Sequence, residues 1–105
     1  MALVYVDARN VLRSRWPNVP EEKLVRRAQD WAERHGHEVV LVFDGKAPPG
    51  AVGSGRESAD DWLIREVPRH PGAWLVTSDR ALREAAGSSA ARIIGGGGFL
   101  GELEK

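Results

Sequence analysis

The chain has 105 residues and a mass of 11.5 kDa, enough for one domain with a single core that buries roughly 65% of the unfolded surface. Fifteen basic residues balance fifteen acidic ones, which excludes a strongly basic coat that clamps nucleic acid by charge alone. Cysteine is absent, so disulfides, thiolate zinc sites and a thiol nucleophile are excluded as well.

The first apolar run, Leu3-Val4-Tyr5-Val6, stops abruptly at Asp7. Continuous rather than alternating hydrophobicity predicts a strand covered on both faces, as in a parallel sheet. A short helix is expected over residues 9–16, ended by Pro17. Over residues 20–35, Leu24, Val25, Ala28, Trp31 and Ala32 keep helical spacing; Pro20, Glu21 and Glu22 suit the first turn, and Gly36 the stop. The second strand, residues 39–43, also ends in aspartate, at Asp44. Residues 46–56, rich in Gly and Pro, read as a mobile loop. A helix over residues 58–67 ends at Pro68, and the third strand, residues 73–77, leads through Ser78 into Asp79. Asp79 opens a helix to Ala86 that Gly87 closes. The last strand, residues 92–94, runs into four glycines, Gly95 to Gly98, too flexible to form an element; with the polar residues 102–105 they make a flexible C-terminal segment. No apolar run approaches the ~20 residues that span a bilayer, and no basic cluster precedes the first one, so a small cytoplasmic protein without membrane contact is expected. The alternation predicts an α/β fold: one domain of three layers around a central parallel sheet, strand order 2-1-3-4, the first strand inside.

Six aspartates are present, and their placement carries the functional reading. Asp7, Asp44 and Asp79 stand at or just past the carboxyl ends of strands, the edge where open α/β sheets bind ligands. Asp60 arrives there from the helix after the loop. Carboxylates so gathered repel and raise one another's pKa. A divalent cation relieves the repulsion, and an all-oxygen donor set points to Mg²⁺ or Mn²⁺. Each residue also has a plainer role. Asp79, and Asp7 ahead of Arg9, suit helix N-caps, and Asp44-Gly45 is a common turn pair. Ser58-Ala59-Asp60-Asp61 resembles a capping box in which Asp61 reaches back, which leaves Asp60 on another face. Four such residues at one edge favour the metal site.

Other constellations are weaker. His35 and His37 straddle a helix end, so their imidazoles should diverge, against a zinc site. The glycine run lacks the Gly-Lys-Ser/Thr of a phosphate loop. Trp31, Trp62 and Trp74 fall on apolar faces; Trp16 is the exposed one. Arg9, Arg13 and Arg15 follow Asp7 and can meet phosphates or simply solvent.

Val6-Asp7-Ala8-Arg9-Asn10-Val11, Val42-Phe43-Asp44, Glu57-Ser58-Ala59-Asp60-Asp61 and Val76-Thr77-Ser78-Asp79-Arg80 occur in the order seen in NYN domains. The chain most resembles the YacP-like branch of these PIN-like nucleases, over nearly its whole length. The resemblance implies a PIN-like α/β fold and a metal-dependent ribonuclease. Asp7, Asp44, Asp60 and Asp79 match the acidic positions that hold Mg²⁺ or Mn²⁺, and Asn10 the asparagine of the first motif. Glu57 and Ser78 match neighbouring positions, and Arg9, Asn10, Ser78 and Arg80 would contact substrate. Two departures stand out: Ala8-Arg9 replaces the usual glycine after the first aspartate, and the stretch between Asp44 and Glu57 is short, which leaves a second copy or another partner to complete the groove.

The function expected is thus Mg²⁺- or Mn²⁺-dependent hydrolysis of RNA phosphodiester bonds, with Asp7, Asp44, Asp60, Asp79 and Asn10 as the working residues. A small haloacid-dehalogenase-like phosphatase also puts an aspartate after its first strand, but needs another two residues on, where this chain has Arg9. A non-catalytic PIN-like module that binds RNA or dimerises is the remaining alternative.

Overall fold

The expected strands and helices form because apolar residues face both sides of each strand. In the computed structural model, which describes all 105 residues, they are β1 (Leu3–Asp7), α1 (Ala8–Arg13), α2 (Glu21–His35), β2 (Glu38–Phe43), β3 (Val52–Gly53), α3 (Ala59–Glu66), β4 (Trp74–Val76), α4 (Arg80–Ala86), β5 (Arg92–Ile94) and α5 (Gly96–Leu103). The sheet is parallel throughout, in the order β3-β2-β1-β4-β5. The four expected strands keep their expected order, and β3 adds a fifth at the edge. Residues 46–56 are therefore no free loop. Val52 pairs with Val42 and Gly53 with Phe43, while Ser54 accepts from the Gly45 amide and donates to the Glu57 carbonyl.

The continuous apolar runs resolve into two cores by the period-two alternation of strands. Val4, Val6, Leu41, Phe43 and Val76 face α1, α2 and α5; Tyr5, Val42 and Leu75 face α3 and α4. That is the three-layer arrangement. In α2 the buried residues are the five of the helical stripe, and Gly36 closes it at φ +70°, a left-handed turn that glycine adopts without strain.

The C-terminal segment departs most from expectation. Residues 96–103 form α5, and Phe99, Leu100 and Leu103 are buried in the larger core. Each such side chain contributes about 1.5–3 kcal/mol, which offsets the roughly 1 kcal/mol that each helical glycine costs. One of the glycines also sits close to α1: a Cβ on Gly96 would stand 3.2 Å from the Val11 Cα and meet the Ser14 hydroxyl, so a side chain there would press α5 away from α1.

His35 and His37 do not diverge. Their rings stack 6.3 Å apart at 17° and both lie against Trp31. His37 Nδ1 accepts the Ala2 amide, which ties the pair to the amino-terminal edge of the sheet, away from the aspartates. No helix is long and apolar enough to cross a membrane.

Candidate active site at the carboxyl edge of the sheet

After β3 at one edge the chain crosses back past β2 and β1 to β4 and β5, so strand order reverses between β1 and β4. The crevice outside the carboxyl ends of these two strands is where such folds bind ligands. Asp7 ends β1 on one side of it, and Thr77, Ser78 and Asp79 follow β4 on the other. Asp44 follows β2 beside them, and Asp60 sits in the first turn of α3.

Asp7 is only 4% exposed. Its Oδ2 accepts the Thr77 hydroxyl at 3.0 Å, and the same hydroxyl oxygen accepts the Asp79 amide at 3.1 Å. Thr77 thus couples the two aspartates that flank the crevice. Asp79 itself caps α4 by accepting the Leu82 amide at 2.9 Å. Asp44 Oδ1 accepts the Ala59 amide at 2.9 Å, and its Oδ2 lies 3.6 Å from Arg9 Nε. Ser58 caps α3 by accepting the Asp61 amide, while the Asp61 carboxylate makes no return bond, so only half of the capping box forms. Asp60 accepts no hydrogen bond from the protein.

The electrostatics follow from this crowding. Burial pushes the Asp7 carboxyl up to about 6; the Thr77 hydroxyl and the Asn10 amide oppose the rise, and Asp60 and Asp44 add to it. Asp60 is also raised, by burial first and then by Asp79, Asp44 and Asp61, with Arg13 opposing. The four aspartates therefore sense one another, yet no three acidic or histidine side chains close on a common point where they could hold one metal ion.

The other expected site residues divide. Asn10 Oδ1 accepts the Ser78 amide at 2.7 Å, and Ser78 Oγ accepts the Gly96 amide at 2.8 Å, so both tie α1 to the loop after β4 and to the start of α5. Their remaining donors, the Asn10 NH₂ and the Ser78 hydroxyl proton, are uncommitted. Arg9 joins the cluster through Asp44. Arg80 does not: its guanidinium lies along α4 beside Glu84 at 3.2 Å and is 93% exposed. Glu57 is held by Arg65, whose hydrogen bond keeps its carboxyl below the usual range.

Sequence reasoning passed over Thr77. Its signal was a hydroxyl in a fully buried position at the end of an apolar run. Thr77→Val should lower the unfolding free energy in urea by ~1–3 kcal/mol, because it strips a buried acceptor from Asp79 N–H and a donor from Asp7. Thr77→Ser should recover most of the loss. Equal stability of wild type and Thr77→Val would show that these bonds contribute nothing net.

No family model matches the chain, and no curated protein sequence does. Its fold is nevertheless similar to solved structures. The crystal structure of Rae1 (YacP) from Bacillus subtilis matches at a TM-score of 0.73 and 19% identity, over 99% of this chain and 74% of that one. Its W164L mutant matches at a TM-score of 0.80 and 19% identity, over 99% and 76%. At this identity the likeness is one of fold, and the fold is YacP-like.

Proposed function

We propose that this chain is a Mg²⁺- or Mn²⁺-dependent ribonuclease hydrolysing RNA phosphodiester bonds at the carboxylate edge, the activity that the NYN-domain resemblance implies. The observation that carries the reading is uncompensated charge at the switch point. Asp7, Asp44, Asp60 and Asp79 face only Arg9 and Arg13, and Asp7 and Asp60 are pushed up by burial and by their neighbours. Carboxylates perturbed together at a switch point are candidates for a functional site.

The donor set is all oxygen, as hard divalent cations require. Because no three carboxylates close on one point, it suits a hydrated ion held through one or two carboxylates and several waters, the usual manner of Mg²⁺, and not a dry cage. Of Asp7, Asp60 and Asp79, one or two would hold it directly and the rest through its waters, and Asp44 would complete the set or orient water. Such an ion lowers the pKa of water and balances charge on a phosphate. Asp60 accepts no hydrogen bond from the protein, so both of its oxygens are open to the ion or to its waters. Thr77 holds Asp7 and the Asp79 backbone in register. The Asn10 NH₂, the Ser78 hydroxyl, Arg9 and Arg80 are donors for phosphate oxygens.

The open arrangement of the carboxylates also favours a second reading, a non-catalytic RNA-binding module. Incubating mixed RNA with purified protein in Mg²⁺, Mn²⁺ or EDTA, beside Asp7→Asn, separates the two. Cleavage by the wild type alone, and only with metal, supports the nuclease. Cleavage that survives EDTA or the substitution removes this site from the reaction, and no cleavage under any condition favours the module.

With a net charge of zero, few phosphates can be neutralised at once. Affinity for RNA should fall with salt along a log–log slope shallower than about −5; a steeper slope contradicts the reading.

A further inference from the structure

We propose that the depression beside α1, together with the indole of Trp16, is a subsite for single-stranded RNA leading away from the carboxylates: Arg9 and Arg13 hold its phosphates and Trp16 stacks one base. The inference rests on the RNA-cleaving reading and deepens it. Arg9 and Arg13 are four residues apart on α1 and so share a face of that helix. With Leu12, Asn18 and Glu21 they line a depression of about 310 Å³, at the small end of the range for ligand sites. It adjoins the aspartates through Arg9, which lies 3.6 Å from Asp44 Oδ2. Arg13 makes no ion pair of its own, whereas Arg15 is taken by Glu104.

Trp16 stands on the loop between two lining residues, Arg13 and Asn18. In the orientation that satisfies both its polar atoms, the Asn18 amide donates to the Leu12 and Arg15 carbonyls at 2.9 Å and folds this loop back onto α1. The indole is 85% exposed, while Trp31, Trp62 and Trp74 are buried or half-buried against the cores. Packing gives no reason for a tryptophan this exposed, three residues past Arg13 and two before Asn18. Stacking does: an exposed aromatic next to guanidinium groups is the usual platform for unpaired bases. A duplex keeps its base faces covered, which selects for single strands.

The test is fluorescence anisotropy of a short labelled oligouridine with the full chain in EDTA. Trp16→Ala should weaken binding at least ~5-fold, the lower end of a base–aromatic stack, and Trp16→Phe should restore most of it. Arg13→Gln should weaken binding and reduce the salt slope by about 0.7, the share of one phosphate on a single strand. Arg34→Gln, in a separate depression with Asp30 and Glu33, should bind as wild type, and a duplex of equal length should compete poorly. Unchanged binding by Trp16→Ala, equal losses in Arg34→Gln and Arg13→Gln, or full competition by the duplex each overturn the subsite. Since binding is read without metal, failure of the nuclease reading shows separately, as absent cleavage in Mn²⁺ with these binding differences intact.

Discussion

Asp7→Asn should lower metal-dependent RNA cleavage at least ~100-fold, because it removes a charge that the ion needs while keeping the shape and the acceptor for Thr77. Asp60→Asn should do the same for a further reason: its carboxylate has no structural duty, so nothing but chemistry is lost. Asp61→Asn is the informative contrast. It adjoins Asp60 in sequence but is exposed, and its backbone amide, not its carboxylate, serves the cap. Its activity should stay near that of the wild type. Rates on a defined RNA substrate in Mn²⁺ check all three. An essential Asp61 beside a dispensable Asp60 would put the wrong face of α3 in the site.

The same Asp7→Asn protein should be more stable than the wild type when metal is withheld. The ordinary carboxyl value is 3.8, and in the folded chain Asp7 is raised to about 6. Below the lower value both states bind the proton and folding is unaffected. Between the two the folded state binds it more tightly, so stability falls as pH rises. Above the upper value the full penalty is present, about 2–3 kcal/mol at 1.36 kcal/mol per unit. Asparagine carries no such charge. Urea melts in EDTA should therefore show the variant ahead by about that amount near pH 7.5, with the gap closing as pH falls through 6 toward 4. A gap that is constant with pH, or of opposite sign, would mean that the buried Asp7 charge carries no penalty. Such a trade of stability for function is common at active sites.

Much of this is legible in the sequence itself. Each strand that ends in aspartate is a run too apolar for a one-faced strand, and that pattern alone places Asp7, Asp44 and Asp79 on one edge. Gly36 and Asp79 lie where helix-end chemistry puts them. What was missed has physical causes. Strand β3 is two residues held by backbone bonds, with no side-chain period to reveal it. Helix α5 contains glycines that disfavour it locally, and only the burial of Phe99, Leu100 and Leu103 overrides them. Thr77 bonds to an aspartate 70 positions away, a contact that no local pattern encodes. The openness of the carboxylate cluster was equally invisible, because strand order sets which residues meet but not how closely.

The most direct test of the carboxylate edge as a cation site is thermal denaturation of wild type and Asp7→Asn, each with EDTA and with millimolar Mn²⁺. Binding to the folded state alone stabilises by about 2.7 kcal/mol at a hundredfold excess over Kd, and 1 kcal/mol moves the midpoint of a domain this size by roughly 4–8 °C. The wild type should therefore gain at least ~5 °C in Mn²⁺, while Asp7→Asn, already higher in EDTA, should scarcely move. A wild type indifferent to Mn²⁺, with Asp7→Asn no more stable than it in EDTA, would contradict the account.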